Sequence, residues 1–245
     1  MRILQRRSAL LAALALACST PATFAQTAWP SQPLKMLVGF PAGSSPDLTA
    51  RLLAEPLSQV LGQPVVVENR PGASGNVAAA QVSRATDDHT IGLMINGNLT
   101  IAKILTPATP YDPLKDLQPV SLIAVAPLVL TAPAGALTGK AFFDHARAQG
   151  DKLNYGTPGV GTVARLGMEL LKTKAGIAPI HVPYQGNPAV ITGLIGGQVQ
   201  MALLPPGLAM AQVRGGKLQA VGVTSAGRSS VVPEVASLAD AGVQG

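Results

Sequence analysis

From Gln32 onward, apolar runs of strand length alternate with stretches in which apolar positions recur every three to four residues. The runs predict strands over 34–40, 65–68, 90–95, 121–125, 128–132, 153–156, 180–184, 199–204 and 218–224. The helical periods predict helices over 46–61, 76–85, 140–149, 162–174, 187–196 and 207–214, with a short further helix over 232–241. Repeated strand–helix alternation predicts an α/β fold of mostly parallel sheets flanked by helices. In such sheets ligands bind in the loops at the carboxyl ends of strands.

The first 25 residues stand outside this pattern. Met1, Arg2, Arg6 and Arg7 precede an apolar stretch from Ser8 to Ala17, and Thr23-Phe24-Ala25 ends in a small residue, the arrangement of a secretory leader over 1–25. The stretch is too short to span a bilayer, so an exported, soluble mature chain is expected. General secretion is the default reading. Arg6-Arg7 also admits a twin-arginine signal, and Cys18 a lipid anchor. Cys18 is the only cysteine, so cleavage after Ala25 leaves no disulfide and no thiolate site.

With 47% apolar and 12% charged residues, the 245-residue chain is too apolar for disorder and long enough for two domains of modest size. Loss of Arg2, Arg6 and Arg7 with the leader halves the formal charge of +6. The remaining basic residues are scattered and aromatics are 3%, which excludes a nucleic-acid footprint.

Candidate chemistry lies in three strand-to-helix loops. In Val38 to Leu53, Pro41-Ala42-Gly43-Ser44-Ser45-Pro46-Asp47 breaks a strand and starts a helix, with Ser45 as expected N-cap and Pro46 in the first turn. Gly156-Thr157-Pro158-Gly159-Val160-Gly161-Thr162 repeats the device, and Arg70-Pro71-Gly72-Ala73-Ser74-Gly75-Asn76 is a third instance. Unpaired N–H groups at a helix start carry about half a positive charge and can hold an anion without a basic side chain. A cation at Arg165, in the first turn after Thr162, is out of pattern unless an anion partners it. Asp47 and a bound anion are candidates, and a solvated side chain is the plain alternative.

Other chemistries find little support. Gly159-Val160-Gly161-Thr162-Val163-Ala164 fits a dinucleotide fingerprint, but no carboxylate lies near His181 to Tyr184 to hold a ribose. There is no P-loop, zinc-protease or nucleophile-elbow motif, His89, His145 and His181 have no metal spacing, and the glutamates show no acid–base pairing. No cofactor is expected.

The runs PLKMLVGFPAGSSPDLTARLLAEPLSQVLGQPVVVENRPGASGN, PYDPLKDLQPVSLIA, KLNYGTPGVGT, HVPYQG, GGQVQMALLPP and GGKLQAVGVTSAGRS resemble, in order, the Bug-type periplasmic receptors of tripartite tricarboxylate transporters. The resemblance implies a two-domain periplasmic-binding-protein fold (type II-like) with a ligand cleft between the domains. Domain 1 would comprise 26–122 and 223–245, its C-terminal part incomplete and the chain shortened, and domain 2 would comprise 123–222. It implies an exported monomer that captures a small organic carboxylate and presents it to membrane permease subunits, not an enzyme. An exported enzyme on the same frame, with Asp47 as base, and a shortened copy without binding are the alternatives. Carried over by position, the ligand-binding residues are Phe40, Gly43, Ser44, Ser45, Asp47, Ser74, Gly75 and Asn76 from the first domain. Gly159, Gly161, Thr162, Tyr184 and Gly186 come from the second. Ser44 stands where the family often has glycine, Arg165 where it often has histidine, and Leu203-Leu204-Pro205-Pro206 where it often has Phe-Asp-Asn.

Overall fold

A computed structural model describes residues 29–243, and the expected leader and Cys18 lie outside the described residues. Two sheets organise the segment from Gln32 onward. Strands β1 (Leu34–Val38), β2 (Val65–Asn69) and β3 (Thr90–Leu93) form a parallel sheet in the order β2-β1-β3. Helix α1 (Ser45–Leu61) crosses from β1 to β2, and α2 (Asn76–Val82) from β2 to β3. Leu34, Met36 and Val38 of β1 meet Ala50, Ala54, Leu57 and Leu61 of α1, the two periods closing one core. Gly62 ends α1 in the left-handed region at φ 68°, donating to the Ser58 carbonyl. The Ser58 hydroxyl accepts from the N–H of Val65 at 2.8 Å, tying the helix end to β2.

The second sheet runs β6-β5-β7-β4-β8, with β4 (Val129–Pro133), β5 (Asn154–Thr157), β6 (Ile180–Pro183), β7 (Met201–Leu204) and β8 (Leu218–Val223). β4 is antiparallel to both neighbours, while β5 runs parallel to β6 and β7. Its strands are apolar on both faces. Leu130, Tyr155, Met201 and Leu203 face α5 (Gly139–Gln149) and α6 (Val163–Ala175). Val129, Ala202, Leu204 and Val223 face α7 (Asn187–Ile195) and α8 (Pro206–Arg214). Burial on two faces explains why β7 reads as the continuous run Met201-Ala202-Leu203-Leu204 rather than as an alternation. Trimming its fully buried Leu204 to Ala would cost about 2–5 kcal/mol.

Three expectations need correction. Residues 121–125 form no strand: Val120, Leu122 and Val125 are at least 80% exposed. An apolar run becomes a strand only where a neighbour meets its N–H and C=O groups, and no strand of either sheet pairs with this one. Residues 225–243, expected to return to the first domain, pack on the five-stranded sheet. Val232 and Val235 join one face, Leu238 and Ala241 the other, and Val223 bridges to Ser237. The helix expected over 232–241 is only a 3-10 turn at Ala239–Ala241, because the Ser237 hydroxyl donates back to the Ser225 carbonyl at 2.6 Å and holds an irregular path. Two short helices not expected from the sequence, α3 (Asn96–Thr100) and α4 (Ala102–Leu105), follow β3. Among the described residues no helix is long and apolar enough to cross a membrane.

Candidate functional site

The candidate site is the seam where loops at the carboxyl ends of strands from the two sheets meet. From the first sheet come 39–47 after β1, 70–76 after β2, and the start of α3. From the second come 158–162 after β5 and 184–188 after β6. The Ser74 hydroxyl accepts a 3.1 Å hydrogen bond from the Gly161 N–H. A Cβ on Gly159 would lie 2.6 Å from Ser74 Oγ, and one on Gly97 would lie 2.0 Å from the Gly161 carbonyl oxygen. A Cβ on Gly186 would lie 2.9 Å from Pro41 Cδ, and one on Gly43 3.6 Å from Pro188 Cγ. Gly97 and Gly186 therefore let the two lobes approach where a side chain would hold them apart, while a Cβ at Gly43 would make only ordinary contact.

Locally, the first loop is built around a carboxylate. Asp47 is buried at 1% exposure, and its oxygens accept from the Gly43 N–H at 2.9 Å, Asn69 Nδ2 at 2.8 Å and Arg51 Nε at 3.1 Å. Burial alone would raise its pKa, but the hydrogen bonds from Arg51, Asn69 and Gly43 outweigh it and hold the carboxyl below its ordinary value. Asn69 Nδ2 also donates to the Phe40 carbonyl at 2.9 Å, so one side chain fixes both ends of the loop. Asp47 is thus the loop's internal anchor, with its oxygens committed to protein donors. Ser44, rather than Ser45, is the N-cap, one residue earlier than expected, and its hydroxyl donates to the Pro41 carbonyl at 2.6 Å instead of capping the helix. Ser44 is fully buried and self-satisfied there. The Ser45 hydroxyl, half-buried in the first turn, has no hydrogen-bond partner among the described residues.

The second first-sheet loop turns sharply, with Ser74 at φ 56° and Gly75 at φ 93°. A Cβ on Gly75 would meet the Phe40 ring at 2.9 Å, and one on Gly39 would lie 2.4 Å from Gly75 Cα, so this loop packs directly on the end of β1. Asn98, absent from the sequence expectation, locks it: Nδ2 donates to the Ser74 carbonyl at 3.0 Å and to Asn76 Oδ1 at 2.7 Å. Tyr111 donates to the same Asn76 oxygen at 2.9 Å. Asn76 is therefore part of a buried scaffold beneath the seam.

On the opposing side, Thr162 is the N-cap of α6 as expected, its hydroxyl donating to the Gly159 carbonyl at 2.7 Å. Gly186 caps α7 at φ 90°. Tyr184 is half-buried beside this loop, its ring over Gly156 and Gly193, a Cβ on the latter meeting its hydroxyl at 2.5 Å, and the exposed hydroxyl donates to Gln198 at 3.4 Å. Alternation along β6 and its extension packs one side of that ring against the lobe's core. Arg165 reaches neither Asp47 nor solvent alone. Its Nη1 lies 2.5 Å from Glu169 Oε1, an ion pair rather than an aligned hydrogen bond, and its guanidinium sits 5.5 Å over the Tyr155 ring. The Tyr155 hydroxyl donates to the same carboxylate. His181 stacks beside Tyr155 and meets the Thr157 hydroxyl at 2.7 Å, and burial, aided by the positive charges of Arg165 and Lys172, lowers its pKa against the pull of Glu169. This charged cluster braces α6 from behind the seam.

Of the expected residues, the structure brings Gly43, Ser74, Gly159, Gly161 and Gly186 to the seam and sets Phe40, Ser44, Ser45, Asp47, Gly75, Asn76 and Thr162 within its loops. Asn187, between Gly186 and Pro188, was not expected. A polar residue between glycine and proline reads as turn chemistry, so only its burial distinguishes it. Among the described residues no three of His, Cys, Asp and Glu converge as metal ligands. Two open cavities lie away from the seam, about 400 Å³ lined by Met210, Glu234 and Ser237 and about 340 Å³ lined by Lys35, Glu68 and Arg84.

Comparison with known proteins places relatives beside this geometry. A family model described as "Tripartite tricarboxylate transporter family receptor" matches residues 49–245. A UPF0065 protein of Bordetella bronchiseptica is 38% identical over 236 residues, 96% of this chain and 70% of that one. A Rhodopseudomonas palustris protein solved with adipate superposes with a TM-score of 0.85 at 31% identity, covering 89% of this chain and 74% of that chain. MatC from Rhodopseudomonas palustris, solved with bound malate, gives 0.78 at 31% identity, covering 88% and 74%.

Proposed function

The chain belongs to the tripartite tricarboxylate transporter receptor family, and from that premise we propose that it is a periplasmic receptor that holds a small organic carboxylate in the seam and presents it to membrane permease subunits. The observation that carries the reading is the convergence of three helix starts, those of α1, α6 and α7, on loops from two sheets. N–H groups at such starts favour an anion, and a ligand that touches both lobes stabilises the closed arrangement over the open one. Adipate and malate, bound in two similar structures, support a dicarboxylate.

An enzyme reading would need a base, and Asp47 is poorly suited: its oxygens are occupied and its pKa is held down. A thermal-shift series with acetate, succinate, malate and adipate tests the receptor reading. A ligand at 100 times its Kd adds about 2.7 kcal/mol of stability. A melting temperature unmoved by every acid, or turnover of one of them, would contradict it.

A further inference from the structure

A chain of side-chain contacts runs from the core of the second lobe to the hydrogen bond that joins the lobes. Tyr155 is fully buried, and the His181 ring lies against it with centroids 5.0 Å apart. The two are register partners in the parallel pairing of β5 with β6, so the sheet itself fixes the imidazole. His181 Nε2 meets the hydroxyl of Thr157, also fully buried, at 2.7 Å. That hydroxyl lies 3.4 Å from the Gly159 carbonyl oxygen, which accepts from the Thr162 hydroxyl at 2.7 Å. Two residues further on, the Gly161 N–H reaches Ser74 across the seam.

A threonine hydroxyl carries one hydrogen. The 2.7 Å contact is a full hydrogen bond and the 3.4 Å contact a weak one, which assigns that hydrogen to Nε2 of a neutral ring. Protonation would put a hydrogen on Nε2, so the hydroxyl would accept from the ring and turn its own hydrogen to the Gly159 carbonyl. It would also bring a positive charge within one hydroxyl of the turn over 159–162. The charged groups facing the ring are Arg165, Glu169 and Lys172 of α6, and burial with the two cations keeps the ring neutral against the pull of Glu169. We propose that His181 is a positioning residue of the seam, acting through the Thr157 hydroxyl on the turn over 159–162, and that its protonation strengthens capture of the anion. This rests on the reading that the seam takes a carboxylate. By reciprocity, a bound anion makes His181 easier to protonate.

The test titrates malate and adipate by calorimetry at several values between about pH 7.5 and 5, spanning the fall below the ordinary histidine value near 6.5. The proteins are the wild-type chain, His181→Gln, Thr157→Val and Thr157→Ser, with the unliganded melting temperature recorded for each. Ionisation of the acid is common to all four and cancels in ratios of Kd. His181→Gln keeps a hydrogen-bonding group that does not titrate. Relative to it, the wild-type Kd is expected to fall about threefold or more on acidification. Thr157→Val keeps the shape without the hydroxyl and is expected to bind about fivefold more weakly at neutral pH, with the wild-type pH response lost. Thr157→Ser is expected to restore both. A ratio of wild-type to His181→Gln affinity that is constant across pH overturns the inference and leaves the receptor reading standing. Thr157→Val with a lowered melting temperature and the wild-type pH response overturns it too, since that assigns Thr157 a packing role alone. A wild-type chain that binds neither acid at any pH overturns the carboxylate reading and the inference with it.

Discussion

The Gly161 N–H donates to the Ser74 hydroxyl at 3.1 Å across 87 residues of chain, joining the loop after β2 to the loop after β5. Ser74 sits in the left-handed region at φ 56°, and Gly159 at φ 149° leaves room for its hydroxyl. The lobes therefore meet through close backbone approach, the rings of Pro41 and Pro188 and the Ser74 hydrogen bond, with no ion pair between them among the described residues.

Ser74→Ala should remove about 1 kcal/mol from the closed arrangement, weakening ligand affinity about fivefold at unchanged melting temperature. Gly159→Ala should be more damaging, because its Cβ would lie 2.6 Å from Ser74 Oγ. Combining the two should cost less than the sum, since trimming Ser74 relieves the overlap. A double-mutant cycle on ligand Kd measures this, and strict additivity would show that the two loops do not meet.

Asp47→Asn should destabilise the first lobe by about 1–3 kcal/mol at pH 7, by weakening bonds from Gly43, Asn69 and Arg51. The Arg51 share is small because that side chain is half exposed. The carboxyl's folded pKa lies below its unfolded value near 4, so its contribution is fully present above that value and is lost as pH falls through the folded one. Urea denaturation of wild type and variant at pH 7, 4 and 3 should show their difference shrinking with acidity. A constant difference would mean that ionisation plays no part.

His181 carries the opposite residue type to a similar sign. Burial, with Arg165 and Lys172 nearby, lowers its folded pKa below about 6.5, so the unfolded chain takes the proton first and stability falls as pH drops below that value. His181→Gln should flatten the stability profile from about pH 6.5 downward to the folded pKa. A profile with unchanged slope would place the titration elsewhere.

The strand and helix periods read from the chain match most elements, because β1 and α1 each present one apolar face and the sequence records that directly. What periodicity does not carry is partnership. Residues 121–125 have the composition of a strand and no neighbour, and residues 225–243 contain no signal of which sheet they will cover. The loop glycines at 159, 161 and 186 were legible as turn residues, and their meeting with Ser74 and Pro41 became visible only in three dimensions. Asn98 and Asn187 were missed for the same reason, since a buried asparagine and a turn asparagine are identical in sequence.

Gly97→Ala tests the central claim, that ligand is held by closure of the seam, most directly. Gly97 lies in α3 and is buried, and a Cβ there would lie 2.0 Å from the Gly161 carbonyl oxygen, a backbone atom that cannot turn aside. The substitution suits a helix by propensity, so the first lobe should keep its stability while the lobes are held apart. Calorimetric titration of malate and adipate into wild type and variant is the measurement. The account predicts saturable binding by the wild type and affinity at least about tenfold weaker in the variant, about 1.4 kcal/mol or more, with unliganded melting unchanged. Equal affinity in the two proteins would contradict it.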